Sequence, residues 1–105
     1  MALKDGAVFV GELTTVGRKT GRPRSVELRF VYLAGKFYAS SARVSGKHWC
    51  QNMLKNPAVG IKADAQLYRC RAQQVTDEVL RKRVLTLRDS RALMDRVVFE
   101  IAPEE

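Results

Sequence analysis

At 105 residues the chain has room for one domain of ordinary size and not for two. Its 46% hydrophobic and 29% charged residues exclude the low-hydrophobicity, high-charge regime of disordered chains, and a core can form without a disulfide or structural metal. Nineteen Lys and Arg against eleven Asp and Glu give a net charge of +8. The excess is concentrated: from Arg18 to Arg71 twelve basic residues face only Glu27 and Asp64, whereas the residues from Asp77 onward are nearly balanced. Such a balance favours an anionic partner, whether a phosphate-bearing cofactor, a nucleic acid or a membrane surface.

No run reaches the roughly 18 apolar residues of a spanning helix, since the strongest, "FVYLAGKFYA", breaks at Gly35-Lys36. Residues 1–5 lack the apolar stretch of a secretory signal, so a soluble cytoplasmic protein is expected. Cys50 and Cys70 make neither a CxxC pair nor a recognisable zinc site; both are expected to be reduced and buried, with a single bridge left open. No metal site is expected.

In chain order, "AVFVGELTT" reads as a first strand, with Gly11 marking a bend or a close backbone approach. Gly17, Gly21 and Pro23 then punctuate a turn. From Arg24 a second strand begins, with Val26, Leu28, Phe30 and Tyr32 on one face, Glu27 and Arg29 on the other, and Val31 and Leu33 making its far end apolar on both sides. Ala34-Gly35-Lys36 joins it by a short hairpin to "FYASSA". A short helix follows, with Trp49, Cys50, Met53 and Leu54 as its apolar stripe, His48, Gln51, Asn52 and Lys55 opposite, and Pro57 closing it. "AVGIKA" and "LYRCRAQQV" form a second hairpin whose outer face carries Arg69, Arg71 and Gln73. Thr76 or Asp77 caps a second helix with Val79, Leu80, Val84 and Leu87 at helical spacing. A further helical piece is expected over Ser90 to Asp95, and "VVFEIA" is the last strand. Six strands with only two helical excursions predict one mainly β domain over 1–105: a small closed or partly open antiparallel barrel with helices on its outside.

The sharpest local signal is Gly17-Arg18-Lys19-Thr20-Gly21, followed by Arg22, Pro23 and Arg24. Two glycines could turn backbone amides toward an anion, and a hydroxyl and several cationic side chains stand beside them. The spacing matches neither a Walker A loop nor GxGxxG. Read from residues alone, the segment is either an anion site or a solvated hairpin turn. Trp49 likewise suits ring contact or core packing. Asn52 suits a ligand contact or the satisfaction of nearby backbone groups. His48, the single histidine, suits the surface, a cap or a ligand contact. A second class of function also stays open: a basic barrel that holds nucleic acid without catalysis.

With "LTTVGRKTGRPRSVELRFVYLAGKFYASS" and "HWCQNMLKNPAVGIK", the chain resembles the deazaflavin-dependent nitroreductase family of the flavin-binding split-barrel group, from about Leu13 to Val75. The combination of the GRKTG turn, Arg24, and a Trp49/Asn52 helix ending at Asn56-Pro57 carries the resemblance. It implies a barrel like those of flavin reductases and pyridoxamine-phosphate oxidases. It also implies coenzyme F420, or FMN as the alternative, and hydride transfer to a nitro compound, quinone or similar small acceptor. On this resemblance Arg18, Lys19, Thr20 and Gly21 face the cofactor's phosphate and acidic tail. Ser40 and Ser41 lie beside the ring, with Ala42 or Arg43 covering the next position, and Trp49, Asn52 and Lys55 close the site from the helix. A homodimer is implied as well. The chain departs from the family's pattern at Glu27, where proline is usual, in a shorter loop before Trp49, and in lacking a tyrosine ahead of the last strand.

Overall fold

The computed structural model describes residues 4–17, 19–41, 48–63, 65–88 and 96–104. Eight elements follow the expected order: β1 (Ala7–Val16), β2 (Pro23–Leu33), β3 (Lys36–Ser41), α1 (His48–Lys55), β4 (Ala58–Ala63), β5 (Gln66–Gln74), α2 (Glu78–Leu87) and β6 (Val97–Pro103). The helical piece expected over 90–95 lies outside the described residues.

Strand alternation builds the barrel. On β1 the buried Leu13 and Thr15 share a face, while on β2 exposed Glu27 and Arg29 alternate with half-buried Val26 and Leu28 before both faces close over at Phe30 and Val31. The strands join antiparallel in the ring β1-β2-β3-β6-β5-β4, and β4 returns to β1 through Gly60–Lys62 against Glu12–Thr14. A closed antiparallel ring leaves few exposed edges, which suits a chain with so many short strands. The structure is thus a small antiparallel β-barrel with flanking helices, the fold type of flavin reductases and pyridoxamine-phosphate oxidases.

Tight hairpins set the register. Leu33 pairs with Lys36, so Ala34 and Gly35 form a two-residue loop, both with positive φ (53° and 79°) as the right-handed strand twist demands. The left-handed conformation is therefore shared by an alanine, not supplied by Gly35 alone, and the Ala34 amide donates to Asp5 Oδ1 at 2.9 Å.

Two apolar layers result. Inside the barrel Leu13, Phe30, Phe37, Ala39, Ile61, Cys70, Ala72, Phe99 and Ile101 pack with Trp49, Cys50 and Met53 of α1. Outside it, α2 lays Val84 and Leu85 over Val31, Leu33, Tyr38, Val75 and Val98. Asp77 caps α2, accepting from the amides of Val79 and Leu80 at 2.9 and 3.4 Å. Arg81 grips Glu78 and donates to the Arg96 carbonyl at 2.8 Å, and Arg96 donates to the Ser40 carbonyl at 3.3 Å, tying helix, last strand and β3 together.

Two sequence expectations change here. Val79 is 79% exposed and Leu85 takes the buried place, because the face centred on Val84 meets the sheet. On α1, Leu54 is exposed and Asn52 is buried. Cys50 and Cys70 are buried thiols, and burial, with Glu104 adding to it, pushes the Cys70 thiol up to about 11. Among the described residues no helix is long and apolar enough to cross a membrane.

Candidate functional site: a basic groove between the first hairpin and α1

The ladder between β2 and β3 covers only Val31–Leu33 against Lys36–Tyr38. Ahead of it, β2 from Pro23 to Phe30 keeps β1 as its described partner, and α1 packs against β1 and β5. Between them runs a groove of about 790 Å³, within the usual range for a small-molecule site. Its walls are Thr15 and Gly17 at the end of β1, Lys19 and Thr20 of the turn, Arg24 to Leu28 of β2, and His48, Trp49 and Asn52 of α1.

The turn is closed by its own backbone. The Gly17 amide donates to the Arg22 carbonyl at 2.8 Å, Gly21 to the Gly17 carbonyl at 2.8 Å, and Arg22 to Thr20 Oγ1 at 3.3 Å. A Cβ at Gly17 would stand 2.8 Å from Thr20 Oγ1 and 3.2 Å from the Arg22 carbonyl, and Gly21 has φ of +70°. Both glycines are therefore needed for the turn itself. The amides of Gly17, Gly21 and Arg22 are spent inside the turn, and the side chains of Lys19, Thr20 and Arg24 line the groove beside it.

Across the groove, α1 is fixed by a buried polar contact. Asn52 Nδ2 donates to Thr15 Oγ1 at 3.1 Å, with Asn52 4% and Thr15 1% exposed. Sequence reasoning left Thr15 out of the site, although period-two alternation marks it as the last inward residue before the turn. Replacing Thr15 with Val keeps the volume but strips the acceptor from a buried amide, at a cost of about 1–3 kcal/mol. Thermal unfolding of the variant is expected to show a clearly lowered Tm, and an unchanged Tm would assign this contact no structural weight.

Trp49 belongs to both the core and the groove: it is 9% exposed, and its ring meets Phe99 edge-on at 6.1 Å. Of the other residues singled out in the sequence, Lys19, Thr20, Trp49 and Asn52 come together here, while Gly21 and Lys55 are exposed and absent from the described lining. Ser40 and Ser41 part company. Ser41 pairs with Val97 on the barrel-interior face, whereas Ser40 pairs with Val98 on the face covered by α2, so the Ser40 side chain turns away from the interior. Arg18, Ala42 and Arg43 lie outside the described residues. Arg24, Ser25, Val26, Glu27, Leu28 and His48 complete the described walls. The alternation of β2 shows Val26 and Leu28 facing inward, but the shallow end of the strand, with one described neighbour, is what opens them to a ligand.

Among the described residues no group of three or more His, Cys, Asp and Glu side chains is placed to hold a metal ion. The aromatic side chains of Phe9, Phe30, Tyr32, Phe37 and Tyr68 stack or meet edge-on in one interior cluster. The exposed Arg69 and Arg71 thus have no described aromatic platform beside them on β5.

The barrel has the split-barrel fold shared by flavin- and deazaflavin-binding proteins. Three solved structures share the fold. A FAD-binding protein from Mesorhizobium loti is 20% identical, covering 91% of this chain and 81% of its own (TM-score 0.72). A pyridoxamine 5'-phosphate oxidase-type protein from Listeria innocua is 21% identical over 91% and 84% (0.73). An F420-H2 dependent reductase is 23% identical over 88% and 92% (0.71). Residues 5–93 match the family described as F420H(2)-dependent quinone reductase, and the chain belongs to that family.

Proposed function

We propose that the chain is a deazaflavin-dependent oxidoreductase that holds coenzyme F420 in this groove and reduces a small acceptor, a quinone or nitro compound. The observation that carries the reading is that one groove, in a member of this family, is lined both by the cationic and hydroxyl side chains of Lys19, Arg24 and Thr20 and by the apolar and aromatic ones of Val26, Leu28 and Trp49. Such a lining suits a ligand that carries both a planar ring and phosphate and carboxylate groups. When bound, the coenzyme supplies the hydride; the protein's part is orientation and electrostatics.

Lys19, Arg24 and the neighbouring Arg18 hold the phosphate and acidic tail, with Thr20 as a hydroxyl partner and Gly21 shaping the turn. Trp49 offers its face to the ring, and Asn52 keeps α1 at the right height through Thr15. Ser41, and Ser40 through its backbone, border the ring end with Arg43, and Lys55 adds charge beyond the helix. The acceptor enters at the open side, beside which a second protomer completes a homodimer.

Titrating the protein with oxidised coenzyme F420 and, separately, with FMN, and following the emission of its single tryptophan, tests the reading. Saturable quenching by the deazaflavin, tighter than by FMN, is expected, with light scattering giving about twice the 11.8 kDa chain mass. Tighter binding of FMN would move the protein to the flavin branch of its class, and binding of neither would overturn the proposal. A nucleic-acid reading requires binding that survives moderate salt, because charge attraction alone fades steeply.

A further inference from the structure

We infer that His48, an exposed residue of the groove lining, is the proton donor of the reduction, acting on the acceptor's oxygen. The inference rests on the proposed function and goes beyond it by assigning a catalytic acid to a site otherwise built only to bind. A quinone that takes a hydride gains two electrons and one hydrogen from the reduced coenzyme, which is oxidised. Hydride delivered to one quinone oxygen forms an O–H bond there, both carbonyl π bonds pass into the aromatic ring, and the other oxygen is left as a phenolate. One proton must reach that phenolate oxygen to give the hydroquinone. In the step proposed, an imidazolium N–H bond of His48 breaks, an O–H bond forms on the acceptor, and the neutral imidazole takes its replacement proton from solvent.

The described lining of the groove offers no comparable group. By type, the guanidinium, ammonium and carboxylate groups that make up the other ionisable side chains of the described lining are ordinarily poor proton donors near neutrality. Hydroxyls of Thr15, Thr20 and Ser25 are weaker acids still. Imidazole is the side chain whose ordinary titration falls between pH 5 and 8. His48 is exposed, so it can be reprotonated, and as the first residue of α1 it stands directly beside Trp49, which is proposed to face the ring. The charged groups on the facing wall are Lys19, Arg24 and Glu27; Lys55 lies at the far end of the same helix, and Arg18, Arg43 and Lys47 are neighbours in sequence outside the described residues.

Because the chain contains one histidine, its ring signals in an NMR spectrum need no assignment. Loading the protein with oxidised coenzyme F420 and then adding menadione as the acceptor probe is expected to shift those signals and the pH at which they titrate. In steady-state reduction of menadione at saturating reduced coenzyme, kcat is expected to fall as pH rises through that same titration. His48→Gln is expected to lower kcat by at least about tenfold and to remove this limb, the size general-acid catalysis allows. Ring signals indifferent to menadione, or a His48→Gln variant that keeps both kcat and the limb, would overturn the inference while coenzyme binding, measured separately by fluorescence, leaves the proposed function standing. Failure of the wild-type protein to bind the coenzyme takes down both.

Discussion

Trp49→Ala is expected to lose about 3–5 kcal/mol of stability, the usual range for truncating a large buried aromatic, and to weaken coenzyme binding in the fraction that remains folded. The stability loss follows from the position of the ring in the barrel-end core, 9% exposed and edge-on to Phe99 at 6.1 Å. Against a total of about 5–15 kcal/mol for a small domain, such a loss brings the variant near its unfolding threshold. The binding loss follows because the same residue forms part of the groove wall. Trp49→Phe keeps an aromatic face and most of the buried area, so it separates the two roles: stability largely returns, while affinity returns only as far as the smaller ring covers the ligand. Urea unfolding and coenzyme titration of both variants below the unfolding transition make the comparison, with coenzyme fluorescence as the binding signal because the tryptophan is gone. A stability loss with unchanged affinity in both would leave Trp49 as packing alone.

The difference between what sequence reading found and what it missed can be traced to particular side chains. The strands were legible because their alternation is forced by the pleat: in β2 the shift from one-sided to two-sided burial at Phe30–Val31 is written in residue type. The helix α1 was legible in position but not in orientation. At about 100° per residue, Asn52 and Leu54 lie on opposite flanks of the stripe formed by Trp49, Cys50 and Met53, at nearly equal angles from its centre. Hydropathy favours burying Leu54. The structure buries Asn52 instead, because Thr15 lies within hydrogen-bond reach on that flank, and a partner 37 residues away in sequence leaves no local mark. Ser40 and Ser41 illustrate the reverse case. Adjacent residues of a strand face opposite ways, so alternation alone allows only one of these side chains to face the barrel interior, and pairing with Val97 selects Ser41. The groove needed the third dimension altogether: residue types suggested the cationic turn and the Trp49 helix, but their meeting depends on where the ladder between β2 and β3 stops.

The turn's own hydrogen bonds sharpen the last prediction, since they separate shape from charge. With the Gly17, Gly21 and Arg22 amides engaged inside the turn, its shape rests on backbone bonds, and removing one cation deletes charge-assisted contacts of about 1.5–3 kcal/mol without disturbing the scaffold. Lys19→Ala and Arg18→Ala are each expected to weaken coenzyme affinity about ten- to a hundredfold. Lys19 is exposed, so its replacement is expected to move stability by less than about 0.5 kcal/mol. Lys19→Glu should be worse than Lys19→Ala, because it puts a carboxylate in place of a cation on the wall of a groove that must accept an anion. Gly17→Ala provides the opposite control: it leaves every charge in place but drives a Cβ to 2.8 Å from Thr20 Oγ1, so affinity falls through the shape of the turn and stability falls with it. Saturating coenzyme is expected to restore kcat in Lys19→Ala, because the lost contacts hold the ligand and do not act in the hydride step. The measurement is the coenzyme Kd at two salt concentrations beside Tm for each variant. A Kd that does not change in Lys19→Ala and Arg18→Ala would return the segment to a solvated hairpin turn, whereas a salt-dependent loss confined to the charge variants would identify it as the seat of the anion.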